Sequence, residues 1–270
     1  MAVLEGKRVG FFGAGNMAEA LAGGLISQGM GRESLIASDL KEDRRKYFRE
    51  TLGIETTNDN REVLGRSDIC VFAVKPQDMP GLLAILSPAA PDKLFISICA
   101  GVTTHYIEKT LSGTPRVVRA MPNTPMLVQS GVAAVSRGRW ADDEDLSAAR
   151  AIFAASATVV EVEESAMDAV TAVSGSGPAY FFYLVEAMVE AGVKLGLPEE
   201  AALLLAQQTC LGAGRLLISS EDEPSELRRK VTSPGGTTFA AITKLQEANV
   251  KEALISAIEA AAARSKELGM

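Results

Sequence analysis

Histidine is almost absent from this sequence: His105 is the only one among 270 residues. It lies just inside a predicted helix that Thr103 or Thr104 caps, a position more typical of a surface residue than of a catalytic one. The sequence therefore offers no histidine partner for a serine or cysteine nucleophile. It also contains no cluster of metal ligands, so we expect neither nucleophilic catalysis nor a metal site.

Cysteine is scarce as well. Cys70, Cys99 and Cys210 are far apart and form no C-x-x-C pair, so we interpret them as buried, reduced thiols. The first residues, MAVLEGKRVGFFGAG, contain no long apolar region followed by a small-residue cleavage site. These features predict a cytoplasmic protein without a secretion signal.

Positive charge is in short supply, with 27 Lys and Arg against 34 Asp and Glu and a net charge of -7. This balance argues against a nucleic-acid partner, because phosphates demand clustered basic residues. The most apolar of the long segments, residues 179–197, carries Glu186, Glu190 and Lys194 at four-residue spacing. Three charges in its middle argue against a membrane span, and the segment is better interpreted as a buried helix.

The first part of the chain alternates short apolar runs with helical patterns. Continuous Val, Ile and Phe runs separated by helices predict a parallel sheet covered on both faces, a doubly wound Rossmann-type fold. The predicted strands are 8–13, 35–38, 69–74, 94–99, 116–121, 131–136 and 158–162. The predicted helices among them are 16–28, 41–52, 77–86 and 104–111.

After residue 163 the strand pattern stops and only helical patterns follow. They cover 165–173, 178–195, 198–219, 223–230 and 237–266, the last with a break near Asn249. We therefore predict two domains, an α/β domain of residues 1–162 and an all-α domain of residues 163–270. The helical half is too apolar to stand alone, so we expect an oligomer interface on it.

A glycine turn follows the first predicted strand and opens a helix. Its G-x-G-x-x-A pattern matches the dinucleotide-binding fingerprint: Gly13 makes the tight turn, Gly15 lets the pyrophosphate approach, and Ala18 allows close packing. The phosphates are then expected at the helix N-terminus. The predicted cofactor residues of this turn are Gly13, Ala14, Gly15, Asn16, Met17 and Ala18.

The end of the second strand leaves the choice between NADH and NADPH open. Asp39 follows Gly13 by 26 residues, where an acid usually holds the ribose 2'-hydroxyl of NAD. Basic residues crowd the same corner and are either 2'-phosphate ligands or simply a solvated helix face. They are Lys41, Arg44 and Arg45, beside Ser38.

Two later strand ends are also expected at the cofactor crevice, because ligands in such sheets bind at the carboxyl ends of the strands. Small residues and a proline stand there, in AVKPQ and CAGVTT, although each stretch alone is also consistent with a plain turn. The residues concerned are Ala73, Val74, Lys75, Pro76, Cys99, Ala100 and Gly101.

The helical half lacks a base. Related two-domain hydroxyacid dehydrogenases use a catalytic lysine on the helix after a glycine pair, but no lysine follows Gly177 for four turns. The absence counts against oxidation of an alcohol, which requires removal of the hydroxyl proton. Reduction of a carbon–nitrogen double bond tolerates it, since an imine can enter already protonated.

Seven stretches resemble the pyrroline-5-carboxylate reductase family in order and spacing: FFGAGNMAEAL, FAVKPQ, SICAGVT, RAMPNTP, DAVTAVSGSGPAYFFYLVEAM, GVKLGLP and VTSPGGTT. The resemblance spans nearly the whole chain. It implies reduction of the cyclic imine 1-pyrroline-5-carboxylate to L-proline with NADPH or NADH. The alternatives are a reductase of another imine or keto acid, and a non-catalytic dinucleotide-binding regulatory protein.

The same resemblance implies site residues and a partner. Ser38 and Asn60 join the cofactor contacts, and Glu164 matches an acid near the substrate in some members. The implied substrate loop consists of Ser233, Gly235, Gly236, Thr237 and Thr238. Thr238 matches the threonine whose hydroxyl meets the imine nitrogen, and is our candidate catalytic residue. Lys230 departs from an asparagine of some members, so that contact is not carried over. The resemblance further implies that domain 1–162 binds the dinucleotide and that domain 163–270 binds substrate and forms a homodimer. Dimers of the family are often assembled further.

The loop also makes physical sense without the resemblance. Two glycines leading into a helix leave backbone N–H groups free, and these can receive the substrate carboxylate. We assign that role to the amides of Gly235 to Thr237. Two other motifs keep alternatives: Gly175 and Gly177 serve either a site or close helix packing, and Asn123 either binds cofactor or holds its turn.

Overall fold

A computed structural model of the protein describes residues 2–88 and 92–269. The chain divides into two compact units. The first comprises Met1–Ser176 together with Ala261–Met270, and the second comprises Gly177–Ala260. The unit boundary therefore lies further along the chain than the predicted domain boundary at 162, and the last ten residues return to the first unit.

The first unit contains an eight-stranded sheet in the order β3-β2-β1-β4-β5-β6-β7-β8. The strands are β1 (Val9–Phe12), β2 (Leu35–Ser38), β3 (Glu55–Thr57), β4 (Ile69–Phe72), β5 (Leu94–Ser97), β6 (Arg116–Pro122), β7 (Gly131–Arg137) and β8 (Ala157–Glu161). Every residue of β1, β2, β4 and β5 is buried, as expected for strands covered on both faces. The seven strands predicted from apolar runs all form.

The pairing departs from the parallel prediction at one place: β7 runs antiparallel to β6, while all other neighbours are parallel. The reason is the connection between them. Only residues 123–130 join the two strands, and they form a short 3-10 turn, Thr124–Val128. A parallel pair needs a crossover of a dozen or more residues, so this short link allows only a return in the opposite direction.

Helices cover both faces of the sheet. In the first unit they are α1 (Asn16–Ser27), α2 (Glu42–Tyr47), α3 (Asn60–Arg66), α4 (Met79–Leu86), α5 (Thr104–Leu111), α6 (Asp143–Ala154) and α7 (Met167–Val170). A π-helical turn, Phe48–Leu52, extends α2, and another, Thr171–Gly175, extends α7. A short 3-10 turn, Pro76–Asp78, leads into α4, and a second, Glu164–Ala166, leads into α7.

Adjacent residues of β1 pack in the hydrophobic clusters on opposite faces of the sheet, because successive side chains of a strand point to alternate faces. Phe11 packs in the cluster that contains Leu21 of α1 and Phe153 of α6. Phe12 packs in the other cluster, where its ring stacks on Phe72 at 5.4 Å between ring centroids. The doubly wound arrangement thus places α1 and α6 on one face and α3, α4 and α5 on the other.

The apolar patterns of the sequence did not predict three elements: β3, α3 and α6. β3 is three polar residues at the sheet edge, Glu55–Thr57, of which the first is exposed and the other two are half-buried. α3 and α6 begin at aspartates that accept backbone N–H bonds, Asp59 from Arg61 and Asp142 from Asp145. The cap at Asp142 is a reciprocal capping box, a signal readable from sequence but carrying no apolar run.

The second unit is helical. Its elements are α8 (Gly177–Lys194), α9 (Glu199–Ser219), α10 (Pro224–Lys230), α11 (Thr237–Glu247) and α12 (Val250–Glu267), of which the end of α12 belongs to the first unit. The predicted break at Asn249 is present, with a left-handed φ of 52°. α8 and α9 pack closely because Gly192 has no side chain: a Cβ there would lie 2.9 Å from that of Ala202.

Large apolar side chains on these helices remain exposed in the isolated chain. Tyr183 is 75% exposed, Leu204 58% and Ile218 89%, whereas the only buried residues of α8 and α9 are Gly177, Ala202 and Ala206. Among the described residues, α9 is also the one helix long and apolar enough to cross a membrane by length and composition, with 11% of that stretch buried. An apolar surface of this extent requires a covering partner.

Candidate functional site

The glycine turn joins the ends of β1, β2 and β4. Gly13 has a φ of 101°, and its N–H donates to the carbonyl of Ser38 at 2.8 Å. A Cβ on Gly13 would lie 2.6 Å from the carbonyl oxygen of Ala73. Glycine is thus required twice, for the left-handed backbone and for the close approach to the end of β4.

The start of α1 is open. Gly15 occupies the N-cap position, no side chain caps the helix, and a Cβ on Gly15 would meet no atom within 4 Å. Ala18, in contrast, is fully buried against the sheet. The first N–H groups of α1 thus border free space at the carboxyl edge of the sheet, as a phosphate-binding turn requires.

The carboxylate of Asp39 is turned towards the protein backbone. Its Oδ2 accepts from the N–H of Ala14 at 2.9 Å, and its Oδ1 accepts from the N–H of Lys41 at 2.8 Å. Ser38, which is buried, donates from its hydroxyl to Oδ1 of Asn60 at 2.6 Å. The predicted residues Ser38, Asp39 and Asn60 therefore lie together at the end of β2.

Two of the three basic residues at this corner are engaged inside the protein. Arg44 donates from Nε to the carbonyl of Ala14 at 2.6 Å and pairs with Glu19 at 3.0 Å. Its guanidinium also lies 4.9 Å from the ring centroid of Tyr47. Arg45 donates to the carbonyl of Asp39 at 2.5 Å and pairs with Glu42.

The ends of β4 and β5 are tied together by Cys99. Its thiol donates to the carbonyl of Val74 at 3.2 Å, and burial raises the pKa of this thiol to about 12. Lys75 is exposed, and Pro76 begins the 3-10 turn before α4. Cys99 therefore holds two predicted cofactor loops in register as a neutral, inert group.

Glu164 is anchored at the N-terminus of α5. Its two oxygens accept from the N–H of Thr104 at 2.7 Å and from the hydroxyl of Thr104 at 2.6 Å. The buried guanidinium of Arg119 lies 3.4 Å from the same carboxylate. The predicted substrate acid thus contacts the segment that follows the Cys99–Gly101 loop, and each of its oxygens accepts a hydrogen bond from Thr104.

The backbone that follows α12 packs on that same loop. Gly101 has a φ of 77°, and a Cβ on it would lie 3.0 Å from backbone atoms of Leu268 and Gly269. One turn earlier, the buried Ser265 donates to Asp168 of α7 at 2.7 Å. No local pattern marks these residues, because the contacts join positions about a hundred or more residues apart.

Asn123 holds its turn. The Oδ1 atom accepts from the N–H of Val132 at 2.9 Å, and Nδ2 donates to the carbonyl of Ser174 at 3.2 Å. Nearby, a Cβ on Gly175 would lie 2.5 Å from the terminal methyl of Met121, whereas one on Gly177 would meet nothing within 4 Å. Of the open alternatives, the contacts favour a structural role for Asn123 and close packing for Gly175.

His105 is exposed, as expected for a surface residue.

The predicted substrate loop belongs to the second unit. Gly235 has a φ of 70°, and Gly236 is the N-cap of α11, which no side chain caps. The N–H of Gly236 donates to the carbonyl of Ser233 at 3.0 Å, which removes this amide from the group expected to receive a carboxylate. No backbone partner is recorded for the N–H of Gly235, so among the described residues it remains a candidate donor together with Thr237 and Thr238. Lys230 pairs with Asp222 at 2.5 Å instead of entering the loop.

Comparison with known protein families accounts for both halves of the chain. A family model described as pyrroline-5-carboxylate reductase dimerisation matches residues 164–268. A second, described as NADP oxidoreductase, coenzyme F420-dependent, matches residues 8–101. The first covers the helices with exposed apolar faces, and the second covers the glycine turn and the strand ends.

Relatives and solved structures match at nearly full length. Pyrroline-5-carboxylate reductase from Methanosarcina acetivorans is 43% identical over 98% of this chain and 99% of its own length. The Coxiella burnetii structure, a pyrroline-5-carboxylate reductase, is 40% identical, covers 98% of this chain and 99% of its own, and has a TM-score of 0.88. A Plasmodium falciparum pyrroline carboxylate reductase with NADP bound is 31% identical, with 98% and 99% coverage and a TM-score of 0.90. This chain belongs to the pyrroline-5-carboxylate reductase family.

Proposed function

We propose that this protein reduces 1-pyrroline-5-carboxylate to L-proline with NAD(P)H, the last step of proline biosynthesis. The observation that carries the proposal is the full-length match to pyrroline-5-carboxylate reductases at 37–45% identity, which includes both the glycine turn and the substrate loop. NAD(P)H supplies the hydride that the imine carbon receives. The protein binds and orients the cofactor and the substrate, and it provides an environment that stabilises the charges of the reacting groups.

The cofactor site is proposed at the carboxyl edge of the sheet. The open N-terminus of α1 suits the pyrophosphate, since Gly15 leaves space there and the helix N–H groups are uncapped. The ends of β4 and β5 suit the nicotinamide half of the cofactor, because they lie across the switch point between β1 and β4. The residues proposed there are Ala73, Val74, Lys75, Pro76, Cys99, Ala100 and Gly101.

The substrate carboxylate is proposed at the N-terminus of α11. Free N–H groups and the helix dipole favour an anion at this end, and no side chain of the described protein competes for them. The hydroxyl of Thr238 then orients the ring by a hydrogen bond to its nitrogen. Ser233, Gly235 and Gly236 shape the turn that presents these groups.

No strong general base is required for this reaction. A cyclic imine that enters protonated accepts hydride at carbon and leaves its nitrogen neutral, so orientation is the main requirement. For Glu164, whose oxygens both accept from Thr104, we propose a role through the loop that follows β5 rather than direct contact with the substrate.

The protein is a homo-oligomer, as the dimerisation-domain match and the exposed apolar helices indicate. We propose a dimer formed through the helices of the second unit, which would cover residues such as Tyr183 and Leu204. We further propose that it works in the cytoplasm, without nucleic-acid or membrane partners. The net charge of -7 and the three unpaired cysteines support this.

The direct test is turnover by the purified protein. We expect oxidation of NADPH or NADH when 1-pyrroline-5-carboxylate is supplied, with L-proline as the product identified by chromatography. A 2-keto acid in place of the imine serves as the substrate control and is expected to give no turnover. Absence of turnover with both cofactors on the imine, in a sample that is folded and oligomeric, would exclude the proposed reaction.

A further inference from the structure

The loop between β5 and α5, residues 98–103, turns on a glycine. Gly101 has a φ of 77°, so the chain passes through the left-handed region in the middle of the loop. The N–H of Val102 donates to the carbonyl of Cys99 at 3.3 Å, which is longer than a typical backbone hydrogen bond. Gly101 and Val102 are nevertheless buried. The position of this loop therefore depends on what packs behind it.

The backbone that follows α12 packs behind the loop. A Cβ on Gly101 would lie 3.0 Å from the backbone nitrogen of Gly269 and from the carbonyl group of Leu268. In the other direction, a Cβ on Gly269 would lie 3.3 Å from the carbonyl oxygen of Gly101. Two glycines thus allow one backbone to pack directly on another. A displacement of residues 268 and 269 must therefore move the loop or open a gap beside it.

Ser265 ties this backbone to the rest of the first unit. The residue is 4% exposed, and its hydroxyl donates to Oδ1 of Asp168 at 2.7 Å. The N–H of Leu268 donates to the carbonyl of Arg264 at 3.1 Å, so the chain remains attached to the last turn of α12. We call residues 265–269 the supporting segment, because the Ser265–Asp168 bond fixes the backbone that the loop packs on.

The acceptor of the Ser265 bond belongs to an element that also holds the residue after the loop. Asp168 stands four residues after Glu164, whose carboxylate accepts from the N–H of Thr104 at 2.7 Å and from its hydroxyl at 2.6 Å. Thr104 is the first residue of α5, directly after the loop. Residues 164–168 therefore fix both the backbone behind the loop and the residue that ends it.

We propose that the supporting segment, anchored by the Ser265–Asp168 bond, is a positioning element for the nicotinamide ring and acts through the loop after β5. The proposal rests on the proposed function, which assigns the nicotinamide half of the cofactor to the ends of β4 and β5. Hydride transfer needs the reacting atoms close and aligned, and a misplacement of about 1 Å costs up to about 100-fold in rate. A support that fixes the loop therefore contributes to the rate from outside the site.

A binding measurement without substrate tests the positioning of the ring. NADH and ADP-ribose share the adenosine, the two phosphates and the second ribose, and they differ in the nicotinamide. Calorimetric titration with both gives an affinity ratio that reports the ring, because a loss of folded protein affects the two probes equally. We expect NADH to bind the wild-type protein more tightly. Ser265→Ala should lower the ratio by about three- to tenfold, with the affinity for ADP-ribose within about twofold of wild type.

Two further variants separate the bond from the packing. Asp168→Asn keeps an acceptor oxygen for the Ser265 hydroxyl and should hold the ratio within about twofold of wild type. A chain that ends at Glu267 keeps the Ser265–Asp168 bond but lacks the backbone that packs on Gly101. This shortened chain should lose as much of the ratio as Ser265→Ala.

Ser147→Ala is the matched control. Ser147 is an exposed serine of α6 whose hydroxyl donates to the backbone carbonyl of Asp143. We expect this variant to keep the wild-type ratio. Equal ratios in the Ser265 and Ser147 variants, an unchanged ratio in the shortened chain, or equal binding of NADH and ADP-ribose to the wild-type protein would overturn the proposal.

Single-turnover oxidation of NADPH or NADH by saturating 1-pyrroline-5-carboxylate separates this inference from the proposed reaction. With enzyme in excess, the rate constant reports hydride transfer in each active site, and the amplitude reports the number of active sites. Ser265→Ala should lower the rate constant by about three- to tenfold, whereas a purely structural defect lowers only the amplitude. Absence of turnover in the wild-type protein, with the affinity ratios as expected, would exclude the reaction and leave the positioning role. A wild-type rate constant in Ser265→Ala would leave the reaction and overturn the positioning role.

Discussion

The hydroxyl of Ser265 on α12 donates a 2.7 Å hydrogen bond to the carboxylate of Asp168 on α7. Ser265 is the only buried residue of α12, and the two residues lie 97 positions apart in the chain. One turn later, the backbone of Leu268 and Gly269 packs on Gly101. This pair therefore anchors the segment that supports the loop after β5.

Removal of that hydroxyl tests the anchor. Ser265→Ala is expected to lower the free energy of unfolding by about 1 to 2 kcal/mol, because a buried hydrogen bond to a charged group is lost. The measurement is urea unfolding at one fixed protein concentration, since oligomerisation contributes to stability. Ser219→Ala, at an exposed serine that bonds only to a backbone carbonyl, is the control and should change little. Equal effects would show that the pair contributes no specific stability.

Gly13 and Gly23 form a second matched comparison. Gly13→Ala is expected to destabilise the protein by about 2 to 4 kcal/mol and to abolish dinucleotide binding, because φ is 101° and the new Cβ would meet the Ala73 carbonyl at 2.6 Å. Gly23→Ala, in the interior of α1 with no atom within 4 Å of the added Cβ, is expected to stabilise by about 0.5 to 1 kcal/mol. Thermal melting and cofactor titration report both effects, and a Gly13→Ala variant that still binds cofactor would contradict the proposed turn.

Thr238 is expected to matter for the reaction rather than for folding. Thr238→Val removes the proposed contact to the ring nitrogen and should lower kcat/KM for 1-pyrroline-5-carboxylate by about 10- to 100-fold. Thr238→Ser keeps the hydroxyl and should stay within about threefold of wild type on the same orienting argument. Thr243→Val, the same exchange further along α11, controls for effects on the helix. Wild-type kcat/KM in Thr238→Val would remove this residue from the mechanism.

Glu108 and Glu42 should show opposite pH dependence. Burial raises the pKa of Glu108, so its ionised form costs stability, and the cost grows as pH rises through the folded-state pKa. Arg49 and then Arg45 lower the pKa of Glu42, so its contribution is present above the unfolded-state pKa and is lost as pH falls. Relative to wild type, Glu108→Gln should gain stability with rising pH, and Glu42→Gln should lose it.

Urea unfolding from pH values below the ordinary glutamate pKa of about 4.3 up to neutral pH measures both differences. The glutamine of Glu108→Gln can still accept the N–H of Arg139, which bonds to Glu108 at 2.7 Å, so the comparison isolates the charge. A pH-independent difference for Glu108→Gln would mean that the carboxyl titrates normally despite its burial.

Local pattern was sufficient for most of the fold. Buried strands such as β1 and β4 were predictable because a fully covered strand needs a continuous apolar run, and the turn at Gly13 because only glycine suits its φ. The weakly apolar elements β3, α3 and α6 were not predictable from apolar runs. β3 is polar and lies at the edge of the sheet, and α3 and α6 are marked only by their polar N-caps. The antiparallel direction of β7 depends on the length of the connection between β6 and β7 and not on the residues of the strand itself.

The candidate site, too, was predictable from the sequence only in part. The sequence by itself determined which residue types stand at the strand ends and before α11, because ligand-binding turns impose local requirements on backbone shape and size. Only the tertiary structure decided what those residues do: Asp39 faces Ala14, Glu164 caps Thr104, and Ser265 anchors to Asp168. These contacts join residues 25, 60 and 97 positions apart, and nothing in a local pattern determines which distant donor an oxygen will accept from.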